Sequence, residues 1–239
     1  MTPVGRVGEL WRYPVKSMRG ERLAAAHLDS RGLVGDRLFA VYDAEGKIGS
    51  GKITRRFRPI AGLRAHAART TDDGVEIVSP DGLLTRSSHA DADAALTVSL
   101  RQPVSLRREG DVAHHDAAPV HLITTTALRE ISALLSRASF MDRAVDAFSF
   151  RPNIVVETDA PWPAEEAWIG RTIVVGGRVR LRVADRTERC VMVNTMPDGS
   201  VDQNVIQTIV RRNESCLGVY ASVETIGEIR WDDTIVLAD

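Results

Sequence analysis

The stretch TIVVGGRVRLRV, Thr172 to Val183, limits the possible folds more than any other part of the chain. Two adjacent glycines separate apolar runs, the mark of a tight hairpin whose turn needs left-handed backbone at both central positions. Val179, Leu181 and Val183 then fall on one face of the returning strand. The same plan recurs along the chain. DRLFAVYDAEGKIGS reads as a strand, a turn at Asp43 to Gly46 and a second strand, and GVEIVSPDGLLT repeats this around Pro80-Asp81-Gly82. ELWRYPVK puts Trp11, Tyr13 and Val15 on one side of an extended segment, where Pro14 suits an edge or bulge. RPNIVVET, LGVYASV and IRWDDTIVL supply further strands, and ALTVSLRQPVSLRR reads as two short extended pieces. Many short strands of this kind bury their apolar faces by closing on themselves. The expected fold is mainly β (α+β), barrel-like, with a few short helices.

Two segments change period. VHLITTT reads as a strand running into a helix, with Thr126 as its N-cap and Leu128, Ile131, Leu134 and Leu135 at helical spacing. QNVIQTIVRRNES reads as a short helix presenting Ile206, Ile209 and Val210 on one face. Between the strand-rich start and the first of these helices, RREGDVAHHDAAP (Arg107 to Pro119) is polar and unpatterned. It marks the junction of two halves, 1–110 and 111–239. At 239 residues, with 44% apolar and 26% charged residues, the chain has enough material to bury a core and is not disordered. Its 31 basic and 32 acidic residues give a net charge of −1, which removes any global attraction to nucleic acid or a membrane surface. No apolar run approaches the roughly 20 residues of a membrane span. Cys190 and Cys216 are too few for a disulfide framework. A cytoplasmic protein with reduced thiols is expected.

Chemistry can be sought in three places. Cys190 lies in DRTERCVMVNTMPDGS behind Arg186 and Arg189, and neighbouring cations favour the thiolate, the form that attacks electrophiles or ligates soft metals. The same residue also reads as a small buried hydrophobe, and the segment alone leaves both open. Cys216, in NESCLG, lacks basic company and reads as structural. Second, several basic segments suit an anion: Lys16, Ser17 and Arg19 in YPVKSMRG, Arg37 in GDRLF, Lys52, Arg55, Arg56 and Arg58 in GSGKITRRFRP, and Arg151 with Asn153 in FRPNIVV. The glycines of GSGK match neither the P-loop nor the dinucleotide pattern. Third, His114, His115, Asp116 and His121 are possible metal ligands, which would suit a metal hydrolase. Adjacent histidines in a strand face opposite sides, however, and so rarely share an ion.

In order, LWRYPVKSMRG, GLVGDRLF, APVHLITTTAL, FRPNIVVE, ERCVMVNTMPDG and LGVYASVETIGEIRWDDTIVL resemble the motifs of the MOSC superfamily, named for the C-terminal domain of molybdenum-cofactor sulfurase. The form with an N-terminal β-barrel half, similar to the amidoxime-reducing component and its bacterial relatives, matches nearly the whole chain. This resemblance implies an N-terminal β-barrel domain over 1–110 and a MOSC domain over 111–239. It also implies that the two halves jointly hold the molybdenum cofactor, a phosphorylated pterin dithiolene. Cys190 takes the role of thiolate ligand to molybdenum. Lys16, Ser17, Arg37, Arg151, Asn153 and Lys52 take the role of cofactor-binding residues. The resemblance further implies an oxidoreductase that reduces N-hydroxylated or N-oxide small molecules, fed by an external electron-transfer protein because the chain has no flavin motif and no cysteine set for an iron–sulfur cluster. The alternative is a carrier of persulfide sulfur or of the cofactor, without redox turnover. Where the amidoxime-reducing relatives have serine two residues before the ligand cysteine, this chain has Glu188.

Overall fold

The computed structural model describes residues 1–115, 117–139, 145–195 and 201–238. The first part of the chain runs β1 (Thr2–Arg12), β2 (Glu21–Leu23), β3 (Ala25–Asp29), β4 (Gly32–Leu33), β5 (Phe39–Asp43), β6 (Ile48–Ser50), β7 (Phe57–Pro59), β8 (Ala67–Thr71), β9 (Gly74–Val78), β10 (Leu84–Arg86), α1 (Ala92–Leu100) and β11 (Val104–Arg108). The second runs β12 (Val120–Thr124), α2 (Thr125–Ser139), α3 (Ala147–Phe150), β13 (Ile154–Glu157), β14 (Thr172–Val175), β15 (Val179–Glu188), α4 (Asn204–Asn213), β16 (Cys216–Thr225), β17 (Gly227–Arg230) and β18 (Thr234–Leu237).

Seven strands close a barrel in the order β1-β13-β12-β16-β15-β14-β18 and back to β1. The β14–β15 hairpin turns at Gly176 and Gly177, whose φ values of 59° and 73° are the left-handed pair the sequence called for. Val179, Leu181 and Val183 point inward and are wholly buried with Leu10, Leu122, Ile154 and Ile235. Each such side chain stabilises the barrel by about 1.5–3 kcal/mol. Every pair in the barrel is antiparallel except β12–β13, whose parallel pairing requires the long crossover through α2 and α3.

The two halves are knitted together by their strands. β1, from the first half, closes the barrel of the second, with Leu10 opposite Ile154 and Arg6 opposite Thr234. In return β17 pairs with β3, placing Ile229 beside Ala26. The rest of the first half packs a separate core, including Met18, Val41, Leu63, Ile77 and Leu96, between the β8–β10 meander, the β11-β5-β6-β7 sheet and α1. On the outside of the barrel, α2 and α4 bury Ile131, Leu135, Val205 and Ile209. No helix among the described residues is long and apolar enough to cross a membrane.

Three local expectations need correction. ALTVSL is the body of helix α1, not a strand: Ala92, Leu96 and Leu100, four residues apart, are buried while Val98 is exposed. The cap of α2 is Thr124, whose Oγ1 accepts from the Ala127 amide at 3.1 Å; Thr126 lies inside the first turn and donates to Thr124 Oγ1. In α4 the inward face is Val205 and Ile209, and Val210 faces solvent.

Candidate functional site

Where β1 ends, the chain leaves the barrel through Tyr13-Pro14-Val15 and delivers Lys16 and Ser17 to a cleft between the halves. Lys16 is almost fully buried; its Nζ donates to the His114 carbonyl at 2.9 Å and lies 5.0 Å from the Phe57 ring centroid. The Ser17 hydroxyl donates to the Gly49 carbonyl at 3.1 Å. Arg37, just before β5, is paired with the buried Asp36 carboxylate and reaches the Arg151 carbonyl at 3.3 Å. Arg151 follows the single turn of α3 and donates to the Met18 carbonyl at 2.5 Å. Both guanidiniums lie over the Tyr13 ring, at 5.0 and 4.2 Å.

Ser17, Arg37 and Arg151 all have left-handed backbone, with φ of 67°, 51° and 55°. For residues bearing a Cβ this costs on the order of 1–2 kcal/mol each. Backbone strain gathers at sites where side-chain direction matters more than local stability.

From the opposite wall, β15 ends in Glu188, Arg189 and Cys190. Cys190 caps a short 3₁₀ turn, Val191–Asn194, and is partly exposed to the cleft. Arg189 donates to the Phe150 carbonyl, and its Nη1 lies 3.4 Å from His121 Nε2. Arg64 reaches across from the first half, bonding the carbonyls of Met192 at 2.8 Å and Thr195 at 3.1 Å, and so holds the turn that follows the thiol. The resulting cleft encloses about 880 Å³ of atom-free space, counting its open mouth.

The seven residues that the resemblance assigns to the site, Lys16, Ser17, Arg37, Lys52, Arg151, Asn153 and Cys190, all line this cleft, whereas Arg19, Arg55, Arg56 and Arg58, also read as suiting an anion, do not. Asn153 is largely spent on the fold, its Oδ1 accepting from the His121 amide and its Nδ2 donating to the Trp11 carbonyl. Of the two arginines beside Cys190 in sequence, Arg189 faces the cleft, whereas Arg186 turns away to Glu166, Glu214 and Asn213. Arg64, His121, Ser149 and Tyr220 also line the cleft and were not read as part of it. Arg64 lies 128 residues from Met192, and no local pattern announces such a contact. Cys216 is buried, and burial raises its thiol pKa. The histidines do not gather. His114 bonds Tyr42 and the Arg37 carbonyl, His115 lies near Asp36, and Asp116 is outside the described residues. Among the described residues no three His, Cys, Asp or Glu side chains are grouped to hold a metal.

Six cations therefore share one cleft: Lys16, Arg37, Lys52, Arg64, Arg151 and Arg189. Burial, then the neighbouring Arg37, lowers Arg151 to about 9. Burial likewise lowers Arg64 and Arg189, and burial followed by Arg189 holds His121 well below its ordinary value, hence neutral. Arg151 Nη2, Arg64 Nε and Ser149 Oγ are buried with no hydrogen-bond partner. Buried donors without acceptors are costly, and clustered cations raise the cost, so the cleft is arranged for a polar anionic guest.

A closed β-barrel joined to a smaller β-rich half, with a thiol at the edge of a cationic cleft between them, is the architecture of this chain. The chain belongs to the MOSC family: the MOSC domain matches residues 109–236 and the MOSC N-terminal beta barrel domain matches residues 4–125. It is similar to mitochondrial amidoxime-reducing component 1 of Mus musculus, 26% identical over 98% of this chain and 82% of the relative. The Homo sapiens component 1 is 25% identical over 83% of this chain and 68% of the relative. Among solved structures, the YUAD protein from Bacillus subtilis shares the fold, with a TM-score of 0.53 at 12% identity over 98% of this chain and 95% of that one.

Proposed function

We propose that this protein binds the molybdenum cofactor in the cleft and reduces N-hydroxylated or N-oxide small molecules, with Cys190 as thiolate ligand and an external redox protein as electron donor. The family is one associated with that cofactor, and the relatives are named as amidoxime-reducing components. The observation that carries the reading is the convergence of six cations and one accessible thiol on a cleft that contains orphaned buried donors. A phosphorylated pterin offers the acceptors that Arg151 Nη2, Arg64 Nε and Ser149 Oγ lack.

On this reading residues 1–110 and 111–239 act as two domains sharing one site. Lys16, Ser17, Arg37 and Lys52 come from the first; Arg151, Asn153 and Cys190 come from the second. Lys16, Arg37 and Arg151 bind the anionic group, and Asn153 keeps three strands in register beneath it. Arg64 holds the turn that orients the Cys190 sulfur, and Arg189 adds a cation to the same wall of the cleft. When bound, the cofactor supplies a metal that changes oxidation state and exchanges oxygen with substrate.

The test is elemental and pterin analysis of protein purified from a cofactor-competent host. About one molybdenum per chain, lost in Cys190→Ala, supports the reading. Sulfane sulfur on Cys190 without metal supports a carrier instead, and neither metal, pterin nor sulfur overturns both.

A further inference from the structure

Glu188 is the single carboxylate among the described residues that line the cleft, against six cations. The pleat of β15 fixes its direction: Thr187 is wholly buried, so Glu188 turns outward to an exposed position two residues before Cys190. Its carboxylate makes no hydrogen bond or ion pair among the described residues, although two arginines lie within two positions of it in sequence. Arg186 is committed to Glu166, Glu214 and Asn213, and Arg189 to Phe150 and His121. The cations Lys16, Arg37, Arg64, Arg151 and Arg189 are buried or partly buried, while the carboxylate is exposed. The buried charge of the cleft is thus positive, and its exposed carboxylate lies two residues before Cys190.

An anion that fills the base offsets part of the positive charge there and leaves Glu188 as the exposed charged group nearest Cys190 in sequence on β15. We infer that Glu188 is a specificity-determining residue that favours substrates carrying a positive charge, an N-hydroxyguanidinium among them, over neutral N-oxides. This rests on the proposed reductase function and names the residue that sets its charge preference. A guanidinium presents parallel N–H donors that match a carboxylate in two-point geometry. In the reduction the N–O bond breaks, two electrons come from the external donor, two protons are taken up, and the oxygen leaves as water. Substrate and product carry the same positive charge, so Glu188 holds both, and the guanidinium product competes with substrate.

The experiment compares wild type with Glu188→Gln, which keeps shape and removes charge. Two substrates are used, an N-hydroxyguanidine and a neutral aromatic N-oxide, and the binding of benzamidine, a redox-inert amidinium, is measured separately by calorimetry. An exposed carboxylate–cation pair is worth up to about 1 kcal/mol, or roughly fivefold. Glu188→Gln is expected to weaken benzamidine binding about fivefold, with the difference shrinking at high salt. It is also expected to lower the ratio of kcat/KM for the N-hydroxyguanidine over that for the N-oxide by a similar factor. Benzamidine binding that is equal in both proteins overturns the inference while leaving the reductase reading intact. So does an unchanged kcat/KM ratio. Charge-dependent benzamidine binding in a protein that reduces neither substrate supports the cation site and sinks the reductase reading.

Discussion

Replacing Arg151 by methionine separates a residue that serves a guest from one that serves the fold. Burial and Arg37 lower Arg151 from 12.5 to about 9, so its charge costs the folded protein roughly 5 kcal/mol at most. The residue is only partly buried, and solvent screening halves that to about 2.5 kcal/mol. Against this gain stand the charged hydrogen bond to the Met18 carbonyl, worth about 1.5 kcal/mol, and the contact with the Tyr13 ring, worth about 0.5 kcal/mol. The terms nearly cancel. Arg151→Met is therefore expected to melt within about 3 °C of wild type when free of ligand. In pyrophosphate at about 100 times its Kd the wild type gains about 2.7 kcal/mol, roughly 5–11 °C in Tm. The variant is expected to gain less than half of that at the same concentration. Thermal melting with and without pyrophosphate reads both quantities. A fall of more than about 10 °C in the unliganded variant, with the pyrophosphate increment preserved, refutes the reasoning and makes Arg151 a structural residue.

Two further predictions concern stability. Burial raises Glu165 from 4.5 to about 7, and its Oε1 has no partner. The stability this neutral acid contributes is complete below pH 4.5 and is lost as pH rises through about 7. Relative to Glu165→Gln, the wild type should lose up to about 3 kcal/mol between pH 4.5 and 7.5, read from denaturant midpoints; parallel profiles would refute this. His115, lowered by burial to about 4, acts in the opposite sense, losing stability as pH falls from 6.5, and does so equally in both proteins. At Gly218, φ is +84° and an added Cβ would lie 2.5 Å from the Leu122 carbonyl and 2.7 Å from His121 Nε2. Gly218→Ala is expected to cost about 3 kcal/mol, roughly 6–12 °C in Tm, and a Tm within 2 °C of wild type would show that the barrel wall yields there.

What could be read from the sequence is what local chemistry determines. Gly176-Gly177 announces its hairpin because few other residue pairs adopt that turn, and Val179, Leu181 and Val183 follow from the pleat. Helix α1 was misread because ALTVSL mixes β-branched and apolar residues that satisfy a period of two as well as one of four, and only tertiary packing chooses between them. Three consecutive threonines likewise leave the cap of α2 undetermined within one turn. The cleft-lining residues were reached through the ordered motifs, not through periodicity. Arg64 escaped because its partners lie more than a hundred residues away, and Arg186 was overvalued because adjacency in sequence says nothing about which face of β15 a side chain takes. The role of β1 as the closing stave was equally hidden, since its pairings with β13 and β18 span most of the chain.

That stave has a consequence for biosynthesis. A strand at Thr2–Arg12 whose partners lie at Ile154–Glu157 and Thr234–Leu237 keeps its ladder edges bare while the residues between are made, and distant pairings form slowly. A nascent chain halted before Thr234 lacks one of the two neighbours of β1, so the barrel can seal only once Thr234–Leu237 has been made. The cleft, which draws its walls from both halves, is thereby completed late.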